Sequence, residues 1–247
     1  MNSDPVILIT GAARRVGAEI ARCLHATGAR VALHFRSSEN EALALATELN
    51  ATRADSAQTF RADLVDNEAC LRLVEDIVGH FGNLDVLINN ASSFFATPIG
   101  GIDEAAWQAL IGSNLKGPLF LSQAAAPYLK RRRGTIINIT DIHAERPLKG
   151  YALYCAAKAG LLGLTRALAI ELAPEVRVNA VAPGAISWPD TNADFPALER
   201  QAIIEHTLLK RVGTPADIAG AIKYLIGDAP YVTGQVITVD GGRTTHL

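Results

Sequence analysis

The sequence predicts an α/β fold, a doubly wound parallel sheet of about seven strands with helices on both faces. Three observations predict it. Short β-rich runs alternate with helical patterns from one end of the chain to the other. Several strand runs are apolar at successive positions, as in Val6-Ile7-Leu8-Ile9, which calls for cover on both faces. Cap and stop residues stand at the junctions, with Gly28 and Gly82 behind helical patterns and Asp66 ahead of one. No linker, repeat or low-complexity segment interrupts the 247 residues, so 1–247 reads as a single domain.

The elements follow in order. Residues 6–10 are a buried strand, and a helix over 16–27 closes at Gly28. Residues 30–35 are the second strand, 41–50 a helix and 58–62 the third strand. Asp66 caps a helix running to Phe81, and Gly82 ends it. Residues 84–89, 134–140, 176–181 and 235–239 supply the remaining strands. Residues 185–209 break the rhythm, with Pro189 and Pro196 in a polar and aromatic stretch directly behind the sixth strand. Ligands bind outside the carboxyl ends of strands in open parallel sheets, so this irregular insertion is expected to be a substrate lid.

Composition narrows the partners. The chain is 49% hydrophobic and 19% charged with a net charge of −2, enough apolar material for a large core. It has no basic excess for nucleic acid. The run Lys130-Arg131-Arg132-Arg133 precedes Gly134, where cations complement a helix C-terminus. Cys23, Cys70 and Cys155 are odd in number and lack CxxC spacing, so free thiols in a reducing, cytoplasmic setting are expected, with no disulfide or metal framework. The apolar run at 6–10 is too short for a signal peptide or a membrane span. The expected partner is a small molecule.

The first turn, Thr10-Gly11-Ala12-Ala13-Arg14-Arg15-Val16-Gly17, joins a strand to a helix. Glycines there let the backbone approach a pyrophosphate, which the free N–H groups of the helix attract. A site for NAD needs an acid at the end of the second strand, whereas a 2′-phosphate wants cations. This chain has His34-Phe35-Arg36-Ser37-Ser38 there and no acid before Glu39. Arg14, Arg36 and the two serines suit a phosphate, which points to NADPH.

Tyr154 and Lys158 are spaced i and i+4, on one helical face, and Asp141 lies thirteen residues before the tyrosine. A neighbouring ammonium is expected to lower the tyrosine pKa, fitting the phenol for proton exchange.

These residues resemble the short-chain dehydrogenase/reductase family over essentially the whole chain. The resemblance rests on residues 10–17, Asp63-Leu64, Asn89-Asn90-Ala91, Asn114, Tyr154-x3-Lys158, Pro183-Gly184 and Asp240-Gly241-Gly242. It implies a Rossmann-type subunit, usually of a tetramer, that transfers hydride from nicotinamide. In that pattern Asp63 and Leu64 contact adenine, and Asn90 and Ala91 line the cofactor. Lys158 binds the nicotinamide ribose and lowers the Tyr154 pKa, while Asn114 holds a water in a relay to Lys158. Gly11, Arg15, Val16, His34, Ser92, Thr140, Pro183 and Gly184 complete the implied cofactor set.

Two positions depart from the common pattern: Arg15 stands at the usual second glycine, and Asp141 at the usual catalytic serine. Thr140 does not replace that serine, because a shift of one residue on a strand turns the side chain to the other face. Together with Ser92-Ser93-Phe94, His34 and Pro147-Leu148, these departures resemble the pteridine reductase branch. Chemistry agrees. A carboxylate would repel the alkoxide formed from a ketone, whereas reduction of a C=N bond needs a proton at nitrogen that a carboxylic acid can help supply. The expected substrate is a pterin, bound by Arg15, Ser92, Phe94, Asp141 and Tyr154, with Phe94 as an aromatic wall. The alternative on the same fold is reduction of a carbonyl such as a 3-oxoacyl thioester.

Overall fold

The structure is a computed structural model that describes residues 4–188 and 196–245. Seven parallel strands form one sheet in the order β3-β2-β1-β4-β5-β6-β7. They are β1 Val6–Ile9, β2 Arg30–Phe35, β3 Ala57–Arg61, β4 Val86–Asn89, β5 Thr135–Ile139, β6 Arg177–Pro183 and β7 Val236–Val239. All seven expected strands are present, their ends displaced by two residues at most. The helices are α1 Arg15–His25, α2 Glu39–Thr52, α3 Asn67–Phe81, α4 Glu104–Ile111, α5 Gly117–Arg132, α6 Ala152–Leu172, α7 Ala197–Glu205 and α8 Pro215–Gly227.

The side-chain alternation of each strand builds two cores. From β1, Ile7 and Ile9 join Ile20 and Leu24 of α1, Leu45 and Leu49 of α2, and Ile218 and Leu225 of α8. Val6 and Leu8 face the opposite layer, with Leu73 and Ile77 of α3, Leu121 and Leu129 of α5, and Leu168 and Leu172 of α6. Fully burying such a side chain contributes about 1.5–3 kcal/mol, so covering both faces is what makes all-apolar strands favourable.

Local chemistry sets the ends. Asp66 accepts from the Glu68 N–H as the expected cap of α3, and Gly82 ends that helix in the left-handed region at φ +83°. The basic run closes α5, with Arg133 left-handed at φ +51°. Arg132 is drawn inward instead of being solvated, its Nε 2.8 Å from Oδ1 of the buried Asp85. Asp85 Oδ2 accepts from the Val6 N–H, so the pair staples α5 to β1. Helix α6 is long and apolar enough to cross a membrane by length and composition, but half of that stretch is buried in the fold.

Two features go beyond the elements assigned from the sequence. Helices α4 and α5 are joined by a π-helical turn, Gly112–Lys116, and Asn114 lies at its centre. The segment 185–209 is not irregular throughout: its second half forms α7, which begins behind Pro196 and buries none of its residues. Pro189, also assigned to that segment, lies outside the described residues.

Candidate active site

A cleft of about 470 Å³ opens at the carboxyl ends of the strands, where the order reverses between β1 and β4. Gly11, Arg14, Arg15, Val16, His34, Arg36, Ser37, Asp63, Leu64, Asn90, Ala91, Ser92, Thr140, Asp141, Tyr154, Lys158, Pro183 and Gly184 all border it. Two expected site residues do not. Asn114 is fully buried behind Ser93 and Ser113, and Phe94 lies against its neighbours outside the cleft wall.

The nucleotide end begins where β1 passes into α1. Helix α1 has neither a side-chain cap nor an acid in its first turn, so its first N–H groups remain free for an anion. Arg14 meets Glu41 at 3.6 Å, an exposed pair worth little and easily exchanged for a phosphate. The end of β2 presents exposed Arg36 and Ser37 with no carboxylate beside them. On the β4 side, Asn90 donates through Nδ2 to the carbonyls of Thr10 and Gly11, so its amide fastens the turn. The Thr140 hydroxyl is likewise spent on the Val181 carbonyl, which leaves Thr140 to shape the cleft.

Arg15 has φ +52°, the region that the family's usual glycine occupies without strain. Its guanidinium donates to the Ser187 carbonyl at 3.2 Å, linking the nucleotide turn to the base of the segment behind β6. Arg15→Gly is therefore expected to raise stability by about 1 kcal/mol, read as a higher Tm. The same change should weaken whatever anionic or carbonyl ligand the guanidinium holds.

The reacting end is built by β5 and α6. Tyr154 donates its hydroxyl proton to Asp141 Oδ2 at 2.7 Å. Asp141 Oδ1 accepts from the His143 N–H, which caps a short 3-10 turn and fixes the carboxylate. Lys158 is 3% exposed and donates to the Ile139 carbonyl at 2.8 Å. Burial lowers its pKa to about 8, against an opposing pull from Asp141.

Here the structure corrects the sequence reading. The Tyr154 pKa is not lowered by Lys158; it is held well above the ordinary tyrosine range by burial, then by the charge of Asp141 and the bond to it. The i, i+4 spacing does put both residues on one face, but the ammonium lies 5.8 Å from the phenol ring centre and turns to the Ile139 carbonyl. The carboxylate, in direct contact, wins over the cation.

Asn114 donates to the carbonyls of Ser93 and Leu110, both at 2.9 Å, while its Oδ1 is buried with no partner. A buried acceptor left open in this way fits a water or an ordered ligand group. Phe94 is 40% exposed, so it is not core packing. It stacks on Tyr151 at 4.7 Å and 15°, and meets the Tyr154 ring edge-on at 4.8 Å. Tyr151 was missed by the sequence reading, as were Ser113 and Ile186 of the cleft wall. An aromatic three residues before Tyr154 was the available signal for the first.

The model for a family described as enoyl-(acyl carrier protein) reductase matches residues 11–244. Pteridine reductase 1 of Leishmania tarentolae is 38% identical, over 96% of this chain and 96% of that protein. The chain belongs to the short-chain dehydrogenase/reductase family. Another member of this short-chain reductase family, 3-oxoacyl-[acyl-carrier-protein] reductase FabG of Staphylococcus epidermidis, is also 38% identical, over 95% of this chain and 97% of that one. Among solved structures, a blue fluorescent protein from a metagenomic library, in complex with NADPH, superposes with a TM-score of 0.90 at 36% identity, covering 97% of each chain. Pteridine reductase 1 and FabG thus share the same 38% identity with this chain over nearly its whole length. Side chains at the reacting end must discriminate between them.

Proposed function

We propose that this chain is an NADPH-dependent reductase of pterins, converting a dihydropterin to its tetrahydro form, with dihydrofolate or dihydromonapterin as further candidates. The observation that carries the reading is the 2.7 Å bond from Tyr154 to Asp141. A ketone leaves an alkoxide, which a carboxylate at this distance would destabilise. A C=N bond leaves a nitrogen that must take a proton, and a hydroxyl and a carboxyl group joined by a hydrogen bond can deliver one.

The residues fit the cofactor on features of this chain: the uncapped N-terminus of α1, three arginines at the cleft and the acid-free end of β2. Bound there, reduced nicotinamide supplies the hydride that the ring carbon accepts. Arg14, Arg36 and Ser37 would hold the 2′-phosphate, and Asp63 and Leu64 the adenine. Tyr154 and Asp141 would carry the proton to the adjacent nitrogen, and Lys158 would hold the ribose and keep positive charge beside them. Arg15 and Ser92 would bond the polar edge of the pterin.

Lys158 gives a pH dependence with a definite sign. Its folded pKa is lowered to about 8, so the ammonium is present below that pH and lost above it. Reductase kcat/KM is expected to decline as pH rises through about 8, and Lys158→Arg should move that alkaline limb upward. A profile flat to pH 9.5 would remove the ammonium from the working state.

Phe94 does not border the cleft but meets Tyr154 edge-on, so Phe94→Ala should raise the KM for dihydropterin up to about tenfold, the value of one aromatic contact, with kcat nearly kept. A change confined to Tm would return the residue to a packing role. The reading as a whole is tested by assaying dihydrobiopterin, dihydromonapterin, dihydrofolate and acetoacetyl thioester side by side with NADPH. Turnover of the thioester alone would replace it with carbonyl reduction, the alternative that the FabG likeness supports. We extend the proposal to a cytoplasmic homotetramer, supported by three free thiols and by apolar side chains left exposed on α5 and α6, Leu119 and Ile170. Light scattering checks the assembly.

A further inference from the structure

His34 is 2% exposed at the end of β2, between the turn that follows β1 and the segment that follows β3. Both of its ring nitrogens are engaged. Nδ1 is 3.1 Å from the Gly11 N–H, and Nε2 is 3.2 Å from the Ala62 carbonyl. An amide N–H can only donate and a carbonyl can only accept, so the partners dictate a neutral ring with its proton on Nε2. Burial favours the same state and lowers the pKa to about 4.

The two groups held by the ring lie just beyond the strand ends, where the ladder between neighbouring strands runs out. The backbone adds one rung on each side, Ala12 N–H to the His34 carbonyl and Ala62 N–H to the Phe35 carbonyl. The imidazole adds a further rung on each side. Gly11 is then pinned on both sides, its N–H by His34 and its carbonyl by Asn90. Ala91 closes on it as well, since a side chain at Gly11 would sit 3.0 Å from the Ala91 Cα.

We infer that His34 is a positioning residue for the nucleotide, a neutral imidazole strut that sets the spacing between the phosphate-binding turn at Gly11 and the adenine-binding segment at Ala62-Asp63-Leu64. It acts through two backbone groups. This rests on the cofactor reading above but does not depend on the choice of substrate. Preorganisation of this kind reduces the ordering cost of binding, so its loss should appear in affinity.

The probes are 2′,5′-ADP, which carries the 2′-phosphate and adenine without nicotinamide, and NADPH, each titrated calorimetrically. His34→Phe keeps the ring volume and removes both bonds, and should bind both probes roughly tenfold more weakly, about the value of one net hydrogen bond. In assays the loss should fall on the KM for NADPH and not on kcat. His34→Asn keeps an acceptor for Gly11 and should lie between His34→Phe and the parent. If both variants have lower Tm but bind 2′,5′-ADP like the parent while folded, the inference is overturned. If the parent fails to bind 2′,5′-ADP, the cofactor reading falls and this inference with it. Should His34→Phe not fold, ¹⁵N NMR of the parent imidazole decides: a neutral ring protonated at Nε2 at pH 7 supports the strut, and an Nδ1-protonated or charged ring overturns it.

Discussion

Asp141→Ser is expected to lower dihydropterin turnover by about 10²–10⁴-fold, the range that a positioned general acid supplies, while the Kd for NADPH stays within about twofold. Serine lacks the carboxylate that relays a proton to the Tyr154 hydroxyl, but it relieves the phenol of the charge that, with burial, holds its pKa high. The variant should therefore approach the chemistry that a serine at this position serves elsewhere in the family, and a gain of carbonyl reduction is the informative second readout. Single-turnover kinetics with both substrate classes checks it. Unchanged pterin turnover would take the aspartate out of the mechanism and leave it only as the cap on the His143 N–H.

Gly17→Ala is expected to cost about 3 kcal/mol or more, as overpacking against backbone does when nothing can move aside. For a chain of this size that is a Tm lower by about 6–12 °C. A Cβ at Gly17 would overlap the Gly11 carbonyl oxygen and stand 2.8 Å from Asn90 Nδ2 and 3.0 Å from Ala12 Cα. Its conformation is ordinary for a helix; what it lacks is room. The displaced atoms are those of the phosphate-binding turn, so NADPH affinity should fall in step with stability. Gly79→Ala in α3 is the control: a Cβ there meets nothing within 4 Å, and helix propensity predicts a gain of about 0.5–1 kcal/mol. Equal thermal shifts in the two variants would refute the steric account.

The strands were legible because a strand covered on both faces must be apolar on both, and the runs at 6–9 and 86–88 say so in composition alone. The nucleotide end was legible for a similar reason, since glycine and a helix start have few alternative uses directly behind a buried strand. Three things were not. The π-turn at Asn114 shifts hydrogen bonds by one residue and leaves only Gly112 and Gly117 as traces, each close against the Leu64-Val65 segment. The Phe94–Tyr151 stack joins residues far apart in sequence, so nothing local to Phe94 names its partner. The Lys158 ammonium has four carbons of reach, so spacing could place its backbone but not choose between the phenol and the Ile139 carbonyl.

The π-turn has a consequence for how this protein can change. From Glu104 to Arg132 the chain is one helical rod with a surplus residue, and each residue advances a helix by about 100°. The halves are therefore out of phase: α4 and the turn itself pack on α6, while α5 packs chiefly on α3. Losing a single residue between 112 and 116 would yield a more regular helix and a worse protein, since α4 and α5 would turn relative to each other and could not both keep their packing on α6 and α3. Changes of length are closed to this stretch. Asn114 owes its orientation to that surplus residue, so the open acceptor and the phase break stand or fall together.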